Sequence, residues 1–149
     1  MSTTKSNDFI DTMGDWFAKF PELPKNGRDT LAKIAPILSL IFGILGILVG
    51  ISGLGVLAFF SPLAVFGGVT GVANYGTGFI TALFYLVASV LMLSSYPGLN
   101  AKKYKGWKLL FWSEVVYVVG GLISLSIIST IIGALITFYL LFQIRSYFK

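Results

Sequence analysis

A single carboxylate stands in the most apolar part of the chain. Between Leu109 and Ile144, Glu114 is the only charged residue. An ionisable side chain inside a membrane is costly unless it faces protein or water and finds a partner, and such residues commonly mark proton or ion sites. Three roles are open for Glu114: a polar contact that fixes how two helices meet, a proton or cation site on a translocation path, or a side chain that reaches toward headgroups without a role.

The depth of Glu114 predicts which side chains can partner it. It lies six residues after Lys108, which places it roughly 9 Å inside the apolar segment at about 1.5 Å per residue. The same count back from Arg145 on an antiparallel helix reaches Tyr139. The predicted polar site therefore contains Glu114 with Tyr117, Thr137, Tyr139, Gln143 and Arg145.

Catalytic chemistry has little support in this composition. The chain contains no histidine and no cysteine, the residues that most often supply a general base, a nucleophile or a metal ligand. Asp8, Asp11 and Asp15 recur on successive helical turns, a pattern more typical of a solvated helix face than of a metal site. We therefore expect a protein that is not an enzyme and that has no cofactor and no metal.

The composition indicates where the protein resides. Of its 149 residues, 56% are hydrophobic and only 11% are charged, whereas soluble domains have about 25% charged residues. These values predict an all-α integral membrane protein whose main partner is the lipid bilayer. The net charge of +5 comes from basic residues that flank apolar segments, so we expect no nucleic-acid binding.

Residues 1–33 form the only soluble-looking region, with five of the six acidic residues. We expect a retained cytoplasmic tail, without a signal peptide, whose amphipathic helix ends before Pro21. Three locations are open for this helix: the membrane interface, the chain's own lysine cluster after residue 101, or a groove of another protein. Its apolar face carries Phe9, Ile10, Met13, Trp16, Phe17 and Phe20.

The remainder, residues 34–149, reads as a transmembrane domain with four spans. The apolar runs predict these spans at about 34–58, 77–95, 107–126 and 130–146. Residues 61–78 are uncharged and rich in glycine. We interpret 61–78 as too broken for a regular span. We expect a loop along the membrane, a short interfacial helix, or a re-entrant hairpin in which residues 67–71 expose their backbone.

Glycines at helical spacing predict close helix packing. In membranes, small residues let helices approach each other, because van der Waals contact replaces the hydrophobic driving force. The same glycines could pack within one chain or between copies in a homo-oligomer. The predicted packing residues are Gly43, Gly46, Gly50, Gly53, Gly120 and Gly121.

Basic residues set the predicted orientation. They occur on the N-terminal tail, between the second and third spans, and at the C-terminus. The positive-inside rule then places both termini in the cytoplasm of a bacterial-type inner (plasma) membrane. The lysines between the spans could also hold anionic lipid headgroups. The predicted interfacial residues are Trp16, Phe17, Lys102, Lys103, Lys105, Trp107 and Lys108.

Two functions follow from these features. The first is a small non-enzymatic membrane protein, structural or accessory, that packs with itself or with another membrane protein through its glycine faces. The second is an oligomeric small channel or a proton-coupled transporter that uses Glu114.

Overall fold

The structure, a computed structural model, describes the backbone of residues 2–149 and the side chains of residues 7–149. Within these residues it is helical, with no strand, so the predicted all-α class is confirmed. Two short 3₁₀ turns lie at Val65–Gly67 and Arg145–Tyr147. The helices are α1 (Ser2–Phe17), α2 (Lys25–Ala64), α3 (Gly68–Asn100), α4 (Tyr104–Ile123) and α5 (Ile127–Ile144).

Three helical segments among the described residues are long and apolar enough to cross a membrane. They are Lys25–Asn100, Tyr104–Ile123 and Ile127–Tyr147, with mean hydropathies of 2.6, 1.3 and 2.1. The first segment is 76 residues long and contains α2, the first 3₁₀ turn and α3. The chain therefore has the helices of a multi-pass membrane protein.

Helices α2 and α3 pack against each other along their length as an antiparallel pair. Gly43 lies against Leu93, and Gly50 lies against Leu86. A Cβ atom added to Gly43 would come within 2.9 Å of the Cβ atom of Leu93, so glycine is what allows this close contact. Three of the predicted packing glycines, Gly43, Gly46 and Gly50, thus serve contacts within the chain, whereas Gly53 has no such neighbour within 4 Å.

The segment 61–78 is helical apart from one 3₁₀ turn, so its prediction as a loop along the membrane is wrong. Helix α2 continues through Ala64 and α3 begins at Gly68, so only the 3₁₀ turn separates them. Gly68 has a φ of +62°, a conformation that favours glycine and lets the chain reverse. In apolar surroundings an unpaired backbone N–H or C=O group is costly. This cost outweighs the penalty of about 1 kcal/mol for placing a glycine in a helix.

Two other helix bounds differ from the predicted spans. Helix α2 begins at Lys25, well before residue 34, and α3 continues past Pro97 to Asn100. Pro97 lies inside α3, and beyond it the backbone N–H groups of residues 101–103 bond to carbonyls of the last turn of α3, at 2.8 to 3.1 Å. Lys102 then adopts a φ of +53°, which ends the helix. The starts and ends of α4 and α5 lie within three residues of prediction.

Each long helix runs antiparallel to the next one in the chain. Gly98 of α3 contacts Gly106 of α4, and Gly120 of α4 contacts Phe84 and Tyr85 of α3. Helices α4 and α5 meet where Gly121 contacts Thr130 and where the indole N–H of Trp107 donates to the Leu141 carbonyl at 2.9 Å. Helices α2 and α5 are also neighbours in the bundle, but they make far fewer contacts with each other than α2 makes with α3, α3 with α4, or α4 with α5.

The densest packing lies at the end of the bundle where α2 begins and α5 ends, which we call the terminal end. Trp107, Phe111 and Leu99 are fully buried there, and Trp107 stacks on Phe111 at 5.7 Å between ring centroids. Helix α1 packs on this end through Ile10 and Phe17, both buried. Phe17 stacks on Phe142 of α5 at 5.4 Å.

Candidate functional site

The four long helices enclose a cavity of about 890 Å³. Its wall is largely aliphatic, but every helix adds polar groups to it. Glu114 and Tyr117 come from α4, and Tyr85 from α3. The hydroxyl side chains that line the cavity are those of Ser39, Ser89, Ser126, Ser129, Thr130 and Thr137.

Glu114 is the only acidic or basic side chain among the residues that line this cavity. Its side chain is buried, with 8% of its surface exposed. The Thr137 hydroxyl on α5 lies near the Glu114 carboxyl group, and both residues line the cavity. Thr137 is one of the three α5 residues that depth indicated, with Tyr139 and Gln143.

Two tyrosines stand beside Glu114. Tyr117 follows it by one helical turn, and its ring stacks on that of Tyr85 with centroids 4.6 Å apart and planes inclined by 20°. Both rings line the cavity. Glu114 and Tyr117 were predicted to lie on one helix face. The structure adds Tyr85 of α3 beside them, which the sequence did not indicate.

Three serine hydroxyls in the wall already donate their hydrogen to the backbone of their own helix. Ser39 donates to the Pro36 carbonyl at 2.8 Å, Ser89 to Tyr85 at 2.7 Å, and Ser129 to Ser126 at 3.1 Å. A hydroxyl whose hydrogen is committed can still accept a hydrogen bond. These serines therefore present acceptors to whatever occupies the cavity.

The cavity opens sideways between α2 and α5. On the α2 side its rim is a helical stripe of exposed residues, Phe42, Leu45 and Val49. On the α5 side the rim is Ser129 and Gly133, also exposed. Helices α2 and α5 make few contacts with each other, which is why a gap remains here.

Toward the terminal end the cavity is closed. Ala35, Leu141 and Ile144 line it and are buried in the same apolar cluster. Just beyond them the Tyr147 hydroxyl donates a hydrogen bond to the Asp29 carboxylate, which joins the first turns of α2 to the end of α5. Access to Glu114 from the terminal end is thus blocked, whereas the lateral gap described above is open.

Three of the predicted partners of Glu114 lie elsewhere. Tyr139 donates to the Pro21 carbonyl at 2.6 Å, and Gln143 accepts from the Leu23 N–H at 3.1 Å. Arg145 pairs with Asp11 at 2.5 Å. Position along α5 indicates how deep a residue lies in the bundle but not which side of the helix it occupies. Residues two apart on a helix point about 200° apart, so Thr137 and Tyr139 face opposite sides.

Those three residues instead hold the N-terminal segment against α5. Arg145 also lies over the rings of Tyr104 and Trp107, at 5.8 and 5.4 Å from their centroids. Its guanidinium therefore joins α1, α4 and α5 at the terminal end. The contact with Asp11 is exposed, so we assign most of the attachment of α1 to the buried Ile10 and Phe17 rather than to this ion pair.

The predicted interfacial residues divide into two groups. Phe17 and Trp107 are buried, while Trp16 is 47% exposed. Lys108 donates to the Asn7 side chain at 3.1 Å. The remaining lysines of this set, Lys102, Lys103 and Lys105, are exposed.

The cavity residues Ser39, Tyr85, Ser89 and Thr130 were missed from the sequence. Ser39, Tyr85 and Ser89 are single polar residues within apolar runs, and Thr130 follows Ser129 at the start of one. A systematic search for polar residues inside the spans would have found them. Among the described residues no group of three or more metal-ligating side chains occurs.

Comparisons with protein-family models, curated proteins and solved structures find no match to this chain.

Proposed function

We propose that α2, α3, α4 and α5 each cross the membrane, with both termini in the cytoplasm of a bacterial-type inner membrane. Basic residues accompany both termini and the α3–α4 connection, whereas residues 34–101, which include the α2–α3 turn, carry no charge. Helix α1 then lies at the cytoplasmic surface as an amphipathic helix, with Ile10 and Phe17 toward the bundle and Asp8 and Asp15 toward water.

Single-cysteine labelling tests this orientation directly, because the natural chain has no cysteine. We expect a membrane-impermeant maleimide on intact cells to label Gly67→Cys, in the α2–α3 turn. We expect Lys102→Cys, in the α3–α4 connection, to be labelled only after the membrane is permeabilised. The reverse pattern, or the same labelling of both variants on intact cells, would contradict four spans with cytoplasmic termini.

We propose that the protein is a non-enzymatic, proton-coupled transporter whose cavity holds a small solute beside Glu114. The observation that carries this proposal is that the buried Glu114 faces a cavity of about 890 Å³ within one chain. A carboxyl group that only joined two helices would be packed between them instead of lining a space of this size. Intramembrane carboxyl groups in water-accessible cavities are typical of proton and ion pathways.

The test is proton flux into liposomes with a pH-sensitive dye inside and a potassium-valinomycin potential. Without solute the flux measured is the uncoupled proton leak through Glu114. We expect wild-type protein to raise proton influx about tenfold over protein-free vesicles, and Glu114→Gln to lose that increase because the amide cannot carry a proton. Glu22→Gln is the matched control, since the Glu22 side chain is 73% exposed. Equal flux through wild type and Glu114→Gln would overturn the proposal.

A structural or accessory role in a larger assembly is the second candidate. The α2–α3 hairpin extends past the Gly120 contact with Phe84 by about 16 residues of α3, or roughly 24 Å. Phe66 and Val69 at its tip are 87% and 89% exposed, and a second copy of the chain could cover them. No wild-type flux, together with a Glu114→Gln variant that is less stable than wild type, would favour this candidate.

A further inference from the structure

Four polar groups of the cavity, those of Glu114 and of three serines, suit a ligand that donates hydrogen bonds or carries positive charge. Ser39, Ser89 and Ser129 have committed their hydrogens to their own helices, so each can only accept. Glu114 in its ionised form is also an acceptor and adds negative charge. No lysine or arginine lines the cavity, so nothing in the wall would attract an anion.

The tyrosine pair adds a second feature that favours a cation. Tyr85 and Tyr117 stack at 4.6 Å and line the same wall as Glu114. The face of an aromatic ring attracts organic cations, and quaternary ammonium groups are the best-known ligands of this kind. A carboxyl group next to aromatic rings therefore recognises a positively charged nitrogen better than a neutral or anionic group.

The size and access of the cavity indicate that the cation has an apolar body. A volume of about 890 Å³ is within the range of sites for drug-sized ligands. The rim formed by Phe42, Leu45 and Val49 is apolar and exposed, and it opens on the side of the bundle rather than at the terminal end. A ligand that passes this rim must tolerate apolar surroundings before it reaches Glu114.

We propose that the cavity binds a lipophilic organic ammonium cation, which enters between α2 and α5. Its charged nitrogen contacts Glu114 and the outer face of the Tyr85–Tyr117 stack, and its apolar part lies against Leu38 and the other aliphatic residues of the wall. This inference rests on the proposed transport function and names the class of its solute. Exchange of the cation for a proton at Glu114 would couple the two movements.

The test compares a cation with its uncharged isostere. Benzyltrimethylammonium and neopentylbenzene have the same shape but differ in charge. Binding to the full chain in zwitterionic nanodiscs is measured by equilibrium dialysis. We expect Glu114→Gln to weaken binding of the cation about tenfold or more, because it removes the charge partner, and to change binding of the isostere less than about twofold. Glu22→Gln should change neither.

A second variant keeps the test informative if Glu114→Gln folds poorly. Tyr117→Leu removes one aromatic face but keeps Glu114, and we expect it to weaken cation binding about threefold to tenfold. Equal binding of the cation and the isostere to wild type would overturn this inference, as would cation binding unchanged in both variants. If proton flux still depends on Glu114 in that case, the transport function stands and only the ligand class is wrong. If neither cation binding nor proton flux depends on Glu114, both proposals are wrong.

Discussion

Replacing Gly106 by alanine should lower the free energy of unfolding by about 1–3 kcal/mol, the usual cost of overpacking a well-packed contact. A Cβ atom on Gly106 would overlap backbone atoms of Gly98 and Leu99, which cannot rotate away as a side chain could. The reciprocal change is equally blocked, since a Cβ atom on Gly98 would lie 2.6 Å from the Gly106 Cα atom. Helices α3 and α4 would have to separate.

The consequences should extend beyond this crossing, because Trp107 follows Gly106 directly. Trp107 is fully buried and bonds to the Leu141 carbonyl of α5. A shift of α4 away from α3 therefore disturbs the cluster on which α1 also packs. We expect hydrogen–deuterium exchange of α1 to rise in Gly106→Ala.

The matched control is Gly53→Ala, also a glycine within a long helix. A Cβ atom on Gly53 meets no atom outside its own helix within 4 Å, so only helix propensity changes, and this favours alanine by up to about 1 kcal/mol. Thermal unfolding in detergent, followed by circular dichroism, compares the two variants. Equal melting temperatures for Gly106→Ala and Gly53→Ala would contradict the close contact between α3 and α4.

The sequence was sufficient for the class of fold. Long apolar runs and few charges predicted membrane-crossing helices, and the starts of α4 and α5 were within three residues of the structure. Residues 61–78 were not predicted to continue the long helices because glycine destabilises helices in water. In apolar surroundings the need to pair every backbone group keeps them helical. Gly68 alone needs the special backbone conformation that reverses the chain.

The candidate site was predictable only in its central residue. Glu114 is evident from its charge. Depth along α5, which follows from the fixed rise per residue, indicated Tyr139, Thr137 and Gln143 without distinguishing among them. The rotation of α5 about its axis is set by the packing of Phe138 and Leu141 into the core. The depth of a residue along the helix gives no information about this rotation. The cavity itself arises from the gap between α2 and α5, helices more than 60 residues apart in the chain.

The Glu114 carboxyl should react selectively with a hydrophobic carbodiimide. The reagent partitions into the bilayer and reaches Glu114 through the lateral gap, which the exposed rim residues Phe42 and Val49 border. The carboxyl O–H adds across a C=N bond to form an O-acylisourea. In a site with little water the acyl group then migrates to nitrogen and leaves a stable N-acylurea. Exposed carboxylates instead lose the adduct to hydrolysis.

This labelling tests the central claim, a buried carboxyl group in a cavity that opens to the side of the bundle. Protein in nanodiscs is treated with the carbodiimide, and the adduct is counted by intact mass and located by peptide mapping. We expect one adduct, on Glu114, with about tenfold less on the exposed Glu22, and none in Glu114→Gln. Labelling confined to carboxylates of the N-terminal segment, with Glu114 unmodified, would contradict the cavity and its lateral opening.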